Sequence, residues 1–142
     1  MPTPPNEKTA RLWNGARLIA AWLFVLAGAF KFLVPFGTAL AQLGVPLPAL
    51  FGVLVPLVEV LCGLGLVLRR KMPLRLARFG IARICAALLA FDMMAAIALV
   101  GLPGALGHPL RAGGHTIGDE VWRLPLEIAL LVVAAHTALK DG

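Results

Sequence analysis

Charged residues are scarce in this chain of 142 residues. Only 14% of them are Asp, Glu, Lys or Arg, against about 25% in a typical soluble protein. Hydrophobic residues make up 60% of the sequence. A soluble domain of this size could not cover so much apolar surface with so few charges, so the composition excludes an ordinary soluble protein and indicates a membrane protein. The length allows one small domain.

Cysteines are also rare, and the motifs of common catalytic and metal sites are absent. Cys62 and Cys85 lie in apolar runs and form neither a C-x-x-C pair nor a zinc-binding spacing, so we interpret them as small buried residues. There is no G-x-S-x-G, H-E-x-x-H or phosphate-binding loop. His108 and His115 lie apart in a Gly-rich segment, so we predict no metal site, although their binding of a metal is left open.

The net charge of +6 comes from basic clusters near the N-terminus and in the segment RRKMPLRLAR. With no soluble domain to carry a binding groove, these clusters do not indicate a nucleic-acid partner. Basic clusters beside apolar segments instead report the orientation of a protein across a membrane.

Four segments reach the length of about 20 mainly apolar residues that a transmembrane helix needs. Pro/Gly-rich or charged connections separate them. The sequence predicts an all-α fold, an up-down four-helix transmembrane bundle over 15–142, after a flexible cytoplasmic tail over 1–14. The predicted spans cover about residues 15–37, 48–68, 79–102 and 119–139.

The distribution of Lys and Arg predicts the orientation of these spans. With four spans, both termini and the second connection share one side of the membrane, which holds nearly all the Lys and Arg outside the spans. We therefore expect a multi-pass protein of the inner (plasma) membrane with both termini in the cytoplasm. The first span also has the basic start and Ala27-Gly28-Ala29 of a signal peptide, but its apolar character continues to Val34, which favours a span.

Each predicted span carries one deep ionisable residue: Lys31, Glu59, Asp92 and Glu127. A charged side chain at the bilayer centre costs about 2.5–3.5 kcal/mol even on the most lenient scale. At about 1.5 Å per residue, all four lie at or above the midplane of the bilayer. We therefore predict that they face inward and meet in one cluster.

Arg123 lies one turn before Glu127 and adds a second cation to the predicted cluster. Three acids and two bases still leave one acid over, so the cluster could bind a proton or a polar ligand. Small residues one turn from Lys31 or Glu59 are predicted to line this site, because they let helices approach closely. They are Gly28, Cys62 and Gly63. A purely structural role for the cluster stays open.

Three segments resemble the DoxX family of small four-helix membrane proteins. They are LAGAFKF in the first span, LGVPLPALFGVLVPLVEVLCGLGLVLR through the second, and LPLEIALLVVAAHTAL in the fourth. The resemblance covers most of 15–140 and extends to Lys31, Glu59 and Glu127. Asp92 and the two methionines after it have no place in the family pattern.

The resemblance implies a fold more strongly than a reaction. The family takes its name from a membrane subunit of a thiosulfate:quinone oxidoreductase, and other members resemble accessory proteins in redox stress or membrane-protein assembly. We therefore expect a DoxX-like membrane subunit or accessory protein of a redox system, with a quinone as candidate ligand and a partner protein subunit that carries the electrons. Whether the chain is itself an enzyme, and whether it forms a homo-oligomer, is left open.

Within that hypothesis, Lys31 holds the negative charge that develops on the quinone head group, and Glu59 or Glu127 exchanges its proton. The alternative is a non-catalytic assembly factor or scaffold, which binds a client membrane protein through its helices.

Overall fold

The computed structural model describes residues 6–68, 80–108, 110–112, 115–117 and 123–140. This part of the chain is helical apart from one short hairpin, which confirms the predicted all-α class. In chain order the elements are α1 (Glu7–Lys31), α2 (Phe36–Gln42), α3 (Pro48–Leu68), α4 (Ile81–Ala96), a π-helical turn (Ile97–Gly101), α5 (Leu102–Ala105), β1 (Leu110–Ala112), β2 (His115–Ile117) and α6 (Arg123–Lys140).

Within the described part of the chain, three helical segments are long and apolar enough to cross a membrane: Glu7–Lys31, Pro48–Leu68 and Ile81–Ala105. Large apolar side chains such as Leu26 and Phe91 are exposed on them. Exposed apolar surface of this extent is typical of helices that contact lipid, so the chain is a membrane protein.

Helix α6 is not one of these three segments. It has 18 residues, and three of them are charged: Arg123, Glu127 and Lys140. The sequence predicts a span from 119 to 139, but residues 118–122 lie outside the described part of the chain.

Helix α1 differs from the predicted first span at both ends. It begins at Glu7, so residues 7–14 of the predicted flexible tail are helical, while 1–5 lie outside the described residues. The Asn6 side chain accepts a 3.4 Å hydrogen bond from the Lys8 backbone N–H, and Glu7 places a negative charge in the first turn, which favours a helix start. The helix ends at Lys31, six residues before the predicted end, ahead of Pro35.

The second and third spans follow the prediction more closely. Helix α3 has the predicted bounds of 48–68. The third span is helical from Ile81 to Ala105, but a π-helical turn interrupts it at Ile97–Gly101. Pro103 follows that turn and lacks the N–H that an α-helix needs, so the wider turn accommodates the break.

Three short elements are absent from the prediction: the helix α2 and the strands β1 and β2. The short helix α2 follows the turn at 32–35. The strands β1 and β2 pair antiparallel, with Ala112 opposite His115. Gly113 and Gly114 lie between the strands in the sequence, and such a Gly-Gly pair is typical of two-residue hairpin turns. The basic segment RRKMPLRLAR occupies 69–78, outside the described residues.

Helices α1 and α3 pack antiparallel at two close contacts. Gly28 of α1 lies against Glu59 of α3, whereas the earlier residue Ala21 lies against the later residue Gly63. A Cβ on Gly63 would lie 2.8 Å from the Ala21 carbonyl oxygen, so a larger residue there would push the helices apart.

Helix α4 also packs on α3, and α6 packs on α4 and α1. The core between these helices contains mostly small side chains, which permit close helix contacts. Its buried members are Ala20, Ala21, Phe24, Cys62, Leu66, Cys85, Ala86, Leu89, Ala90, Met93 and Ala134.

Candidate functional site

The candidate site centres on an ion pair between two helices. Lys31 Nζ donates a 2.5 Å hydrogen bond to Glu59 Oε1. The Glu59 side chain is only 1% exposed, whereas that of Lys31 is 22% exposed. Because Lys31 is the last residue of α1, its positive charge also lies at the negative end of the helix dipole. Lys31 is therefore the more accessible partner of a pair whose carboxylate is buried.

Phe36 of α2 lies on another side of the lysine. Lys31 Nζ is 5.0 Å from the centroid of the Phe36 ring, which is the geometry of a cation–π contact. The sequence prediction missed this residue because it extended the first span to 37. The turn before Pro35 brings Phe36 back over the end of α1.

Gly28 makes the Lys31–Glu59 approach possible. A Cβ at this position would lie 2.8 Å from the Pro56 carbonyl oxygen and 2.9 Å from the Glu59 Cβ. The structure places both Gly28 and Gly63 in the α1–α3 contact. Cys62 instead faces α4, where its thiol interacts with that of Cys85.

Asp92 of α4 brings a second carboxyl to Glu59, and the two groups interact electrostatically. We call Lys31, Glu59 and Asp92 the trio. Glu59 Oε2 and Asp92 Oδ2 are both buried without a hydrogen-bond partner among the described residues. Buried acceptors of this kind destabilise a fold unless a proton or a donor reaches them. The trio therefore has unused capacity to bind a proton or a donor group.

Glu127 and Arg123 form a separate pair on α6. Arg123 Nε donates a 2.9 Å hydrogen bond to Glu127 Oε1. The other oxygen, Glu127 Oε2, is buried and lies where a Cβ on Gly101 would be. Gly101 closes the π-helical turn, nine residues after Asp92, which is about 13 Å along a helix at about 1.5 Å per residue.

The structure thus divides the four residues predicted to meet. Lys31, Glu59 and Asp92 come together, whereas Glu127 lies with Arg123 at the π-helical turn. Counting residues along the sequence could not reveal this division, because the level of Glu127 depends on how α6 packs against Gly101.

A cavity of about 240 Å³ lies between the first half of α1 and the end of α3. Of the residues that line the cavity, Leu66 is the nearest to the trio along α3. It lies seven residues after Glu59, which is about 10 Å along the helix. The cavity is therefore separate from the trio. Its lining residues are Asn14, Gly15, Arg17, Leu18, Leu66 and Val67.

Two further features concern histidines. Among the residues that the structure describes, no three His, Cys, Asp or Glu side chains are close enough to hold a metal ion. Trp13 of α1 and His136 of α6 stack with ring centroids 3.8 Å apart and planes 5° from parallel. The sequence carries no signal for this stack, because its two rings belong to opposite ends of the chain.

Comparisons with family models, with curated proteins and with solved structures each find no match to this chain.

Proposed function

We propose that the trio binds the polar head group of an apolar ligand of the quinone class and exchanges a proton with it. In this proposal the chain is a four-span, up-down helical bundle and a DoxX-like accessory subunit of a redox system in the inner membrane, with both termini cytoplasmic. The supporting observation is a pair of buried carboxyl oxygens that have no hydrogen-bond partner among the described residues, Glu59 Oε2 and Asp92 Oδ2, beside the partly exposed side chain of Lys31.

Lys31 is the group that meets the ligand. Its ammonium donates a hydrogen bond to a head-group oxygen and stabilises the negative charge that develops there on reduction. Hydrogen bonds to a charged donor are about twice as strong as neutral ones, and burial strengthens them further. The trio has no redox-active side chain, so the electrons come from elsewhere, in this proposal through a partner protein subunit.

Glu59 and Asp92 supply the proton. If both were ionised, the trio would carry one negative charge more than Lys31 neutralises. A proton held between the two carboxyls removes this excess, and it is within reach of a head group that Lys31 binds.

The apolar part of the ligand lies in the bilayer beside the turn that follows α1. Phe32, Leu33 and Val34 are exposed there, directly after Lys31. A head group that reaches the ammonium from this side leaves its tail in contact with these side chains and with lipid, as is typical of ligands with an apolar body and a few polar contacts.

The experiment compares two buried glutamates in the purified protein in lipid nanodiscs. We expect Glu59→Gln to weaken binding of a short-chain ubiquinone analogue at least about tenfold, equivalent to about 1.4 kcal/mol. Glu127→Gln is the matched control, because it alters a buried carboxyl outside the trio and should leave the affinity unchanged. Equilibrium binding can be followed by quenching of tryptophan fluorescence.

Two results would contradict the proposal: no binding to the unaltered protein, or the same loss in both variants. If the unaltered protein binds no quinone and Glu59→Gln lowers only its stability, the trio is structural. That outcome favours the alternative of an assembly factor or scaffold for a client membrane protein.

A further inference from the structure

Two free thiols face each other in the core. Cys62 of α3 is 6% exposed and Cys85 of α4 is 9% exposed. Their side chains interact directly. Both thiols belong to one buried core cluster, whose members are mostly small, and α3 packs directly on α4 there. A disulfide between two helices requires this kind of close helix contact.

The thiols share their helix faces with the two carboxyls of the trio. Cys62 follows Glu59 by three residues, and Cys85 precedes Asp92 by seven, which is two helical turns. Cys62 therefore lies about 5 Å from Glu59 along α3, and Cys85 lies about 10 Å from Asp92 along α4. The same two helix faces therefore carry a carboxyl pair and a thiol pair, one next to the other.

We propose that Cys62 and Cys85 are a redox-active dithiol that reduces a quinone-class oxidant bound at the trio. This inference rests on the proposed function and supplies its local source of electrons. A reactive dithiol needs a base, because the thiolate is the nucleophilic form. The carboxyls on the same faces, Glu59 and Asp92, are placed to take the thiol protons.

The reaction balances without another reactant. The two S–H bonds break and one bond forms between Cys62 Sγ and Cys85 Sγ. Two electrons and two protons pass to the quinone, whose two carbonyl oxygens become the hydroxyls of the quinol. Glu59 and Asp92 pass the protons from the thiols to the head group at Lys31.

The test is a single turnover with reduced full-length protein in lipid nanodiscs, without oxygen. Addition of a short-chain ubiquinone analogue should remove two free thiols and form one quinol per protein. Thiols are counted by the mass added by a maleimide, quinol is measured by absorbance, and peptide mapping should show the Cys62–Cys85 disulfide. Cys62→Ala and Cys85→Ala should each abolish quinol formation. Two intact thiols and no quinol in the unaltered protein would overturn the inference.

A second arm separates this inference from the function on which it rests. Binding of the quinone is measured in the double variant Cys62→Ala/Cys85→Ala, and the unaltered protein is treated with the thiol oxidant diamide. If the double variant binds quinone and only diamide forms the disulfide, the dithiol inference is overturned while the proposed function stands. If neither the double variant nor the unaltered protein binds the quinone, the proposed function fails. Any oxidation of the thiols by quinone then occurs without a binding site, which also overturns the inference.

A third arm tests the carboxyl role. At a saturating concentration of the quinone analogue, Glu59→Gln should slow disulfide formation at least about tenfold, and it should slow the reaction with diamide as well, because both oxidants react with the thiolate. Raising the pH should restore both rates. A loss that a higher pH does not restore would show that the substitution alters thiol packing, and would overturn the assignment of Glu59 as proton acceptor.

Discussion

Among the described residues, two acid–base pairs have a buried carboxylate, and they use similar groups in different ways. Lys31 and Glu59 are 28 residues apart and join the end of α1 to the middle of α3. Arg123 and Glu127 are four residues apart on one helix. A pair at this spacing can form in an isolated helix and adds about 0.2–0.5 kcal/mol. The Lys31–Glu59 pair exists only when the helices are packed.

One glycine lies beside each pair, and the two glycines differ in the atoms that surround them. The space at Gly28 is bounded by the Pro56 backbone and by the Glu59 Cβ, neither of which can move without the helix. The space at Gly101 is bounded mainly by the carboxyl end of the Glu127 side chain, which can rotate away. The comparison indicates that the α1–α3 contact determines the geometry of the trio, whereas the pair on α6 tolerates change.

The largest effect is expected from Lys31→Met, which leaves the Glu59 carboxylate without its cation. Removing one partner of a buried ion pair costs about 3–5 kcal/mol, to be measured as the free energy of unfolding in mixed micelles. Lys140→Met is the control, because Lys140 is exposed at the end of α6. Equal stability of the two variants would show that the trio does not stabilise the packing of α1 against α3.

Gly28→Ala should rank second. The new Cβ would meet backbone and force α1 from α3, at a cost of about 1–3 kcal/mol. Gly15→Ala on the same helix is the matched control, because nothing lies within 4 Å of its Cβ. That variant should gain about 0.5–1 kcal/mol from the higher helix propensity of alanine. A similar gain at both positions would refute the close contact.

Gly101→Ala should have a smaller effect, about 1 kcal/mol, because Glu127 can rotate away from the new methyl group. The same unfolding measurement in a Glu127→Ala background gives the contrast, since the carboxyl that the methyl group meets is then gone. We expect Gly101→Ala to lower the free energy of unfolding by less in the Glu127→Ala variant than in the unaltered protein. An unchanged cost would place the strain elsewhere in the π-helical turn.

The smallest effect is expected from the stack between α1 and α6. Trp13→Leu removes the contact with His136, and aromatic pairs are worth about 0.5–1.5 kcal/mol beyond their buried area. Trp22→Leu changes an exposed tryptophan of the same helix and serves as the reference. If Trp13→Leu costs no more stability than Trp22→Leu, the stack contributes nothing.

The membrane character and the bounds of α3 could be predicted from the sequence, because apolar length and composition determine both. The inward placement of Glu59 follows from the cost of a charge in lipid. The end of α1 at Lys31 and the π-helical turn have signals in Pro35 and Pro103, but prolines inside apolar segments are also compatible with continuous spans. The separation of Glu127 from the trio and the meeting of Cys62 with Cys85 depend on the register between helices, which the periodicity of a single chain does not contain.

Lys31 and Glu59 stabilise the fold as a pair that joins two helices. A double-mutant cycle with Lys31→Met and Glu59→Gln in the unfolding measurement tests it most directly. We expect the double variant to be more stable than the sum of the single effects implies, by about 2 kcal/mol. In the matching cycle of Arg123→Met and Glu127→Gln, the coupling should be below about 0.5 kcal/mol. Additive effects of Lys31→Met and Glu59→Gln, within about 0.5 kcal/mol, would contradict the stabilising role of the Lys31–Glu59 pair.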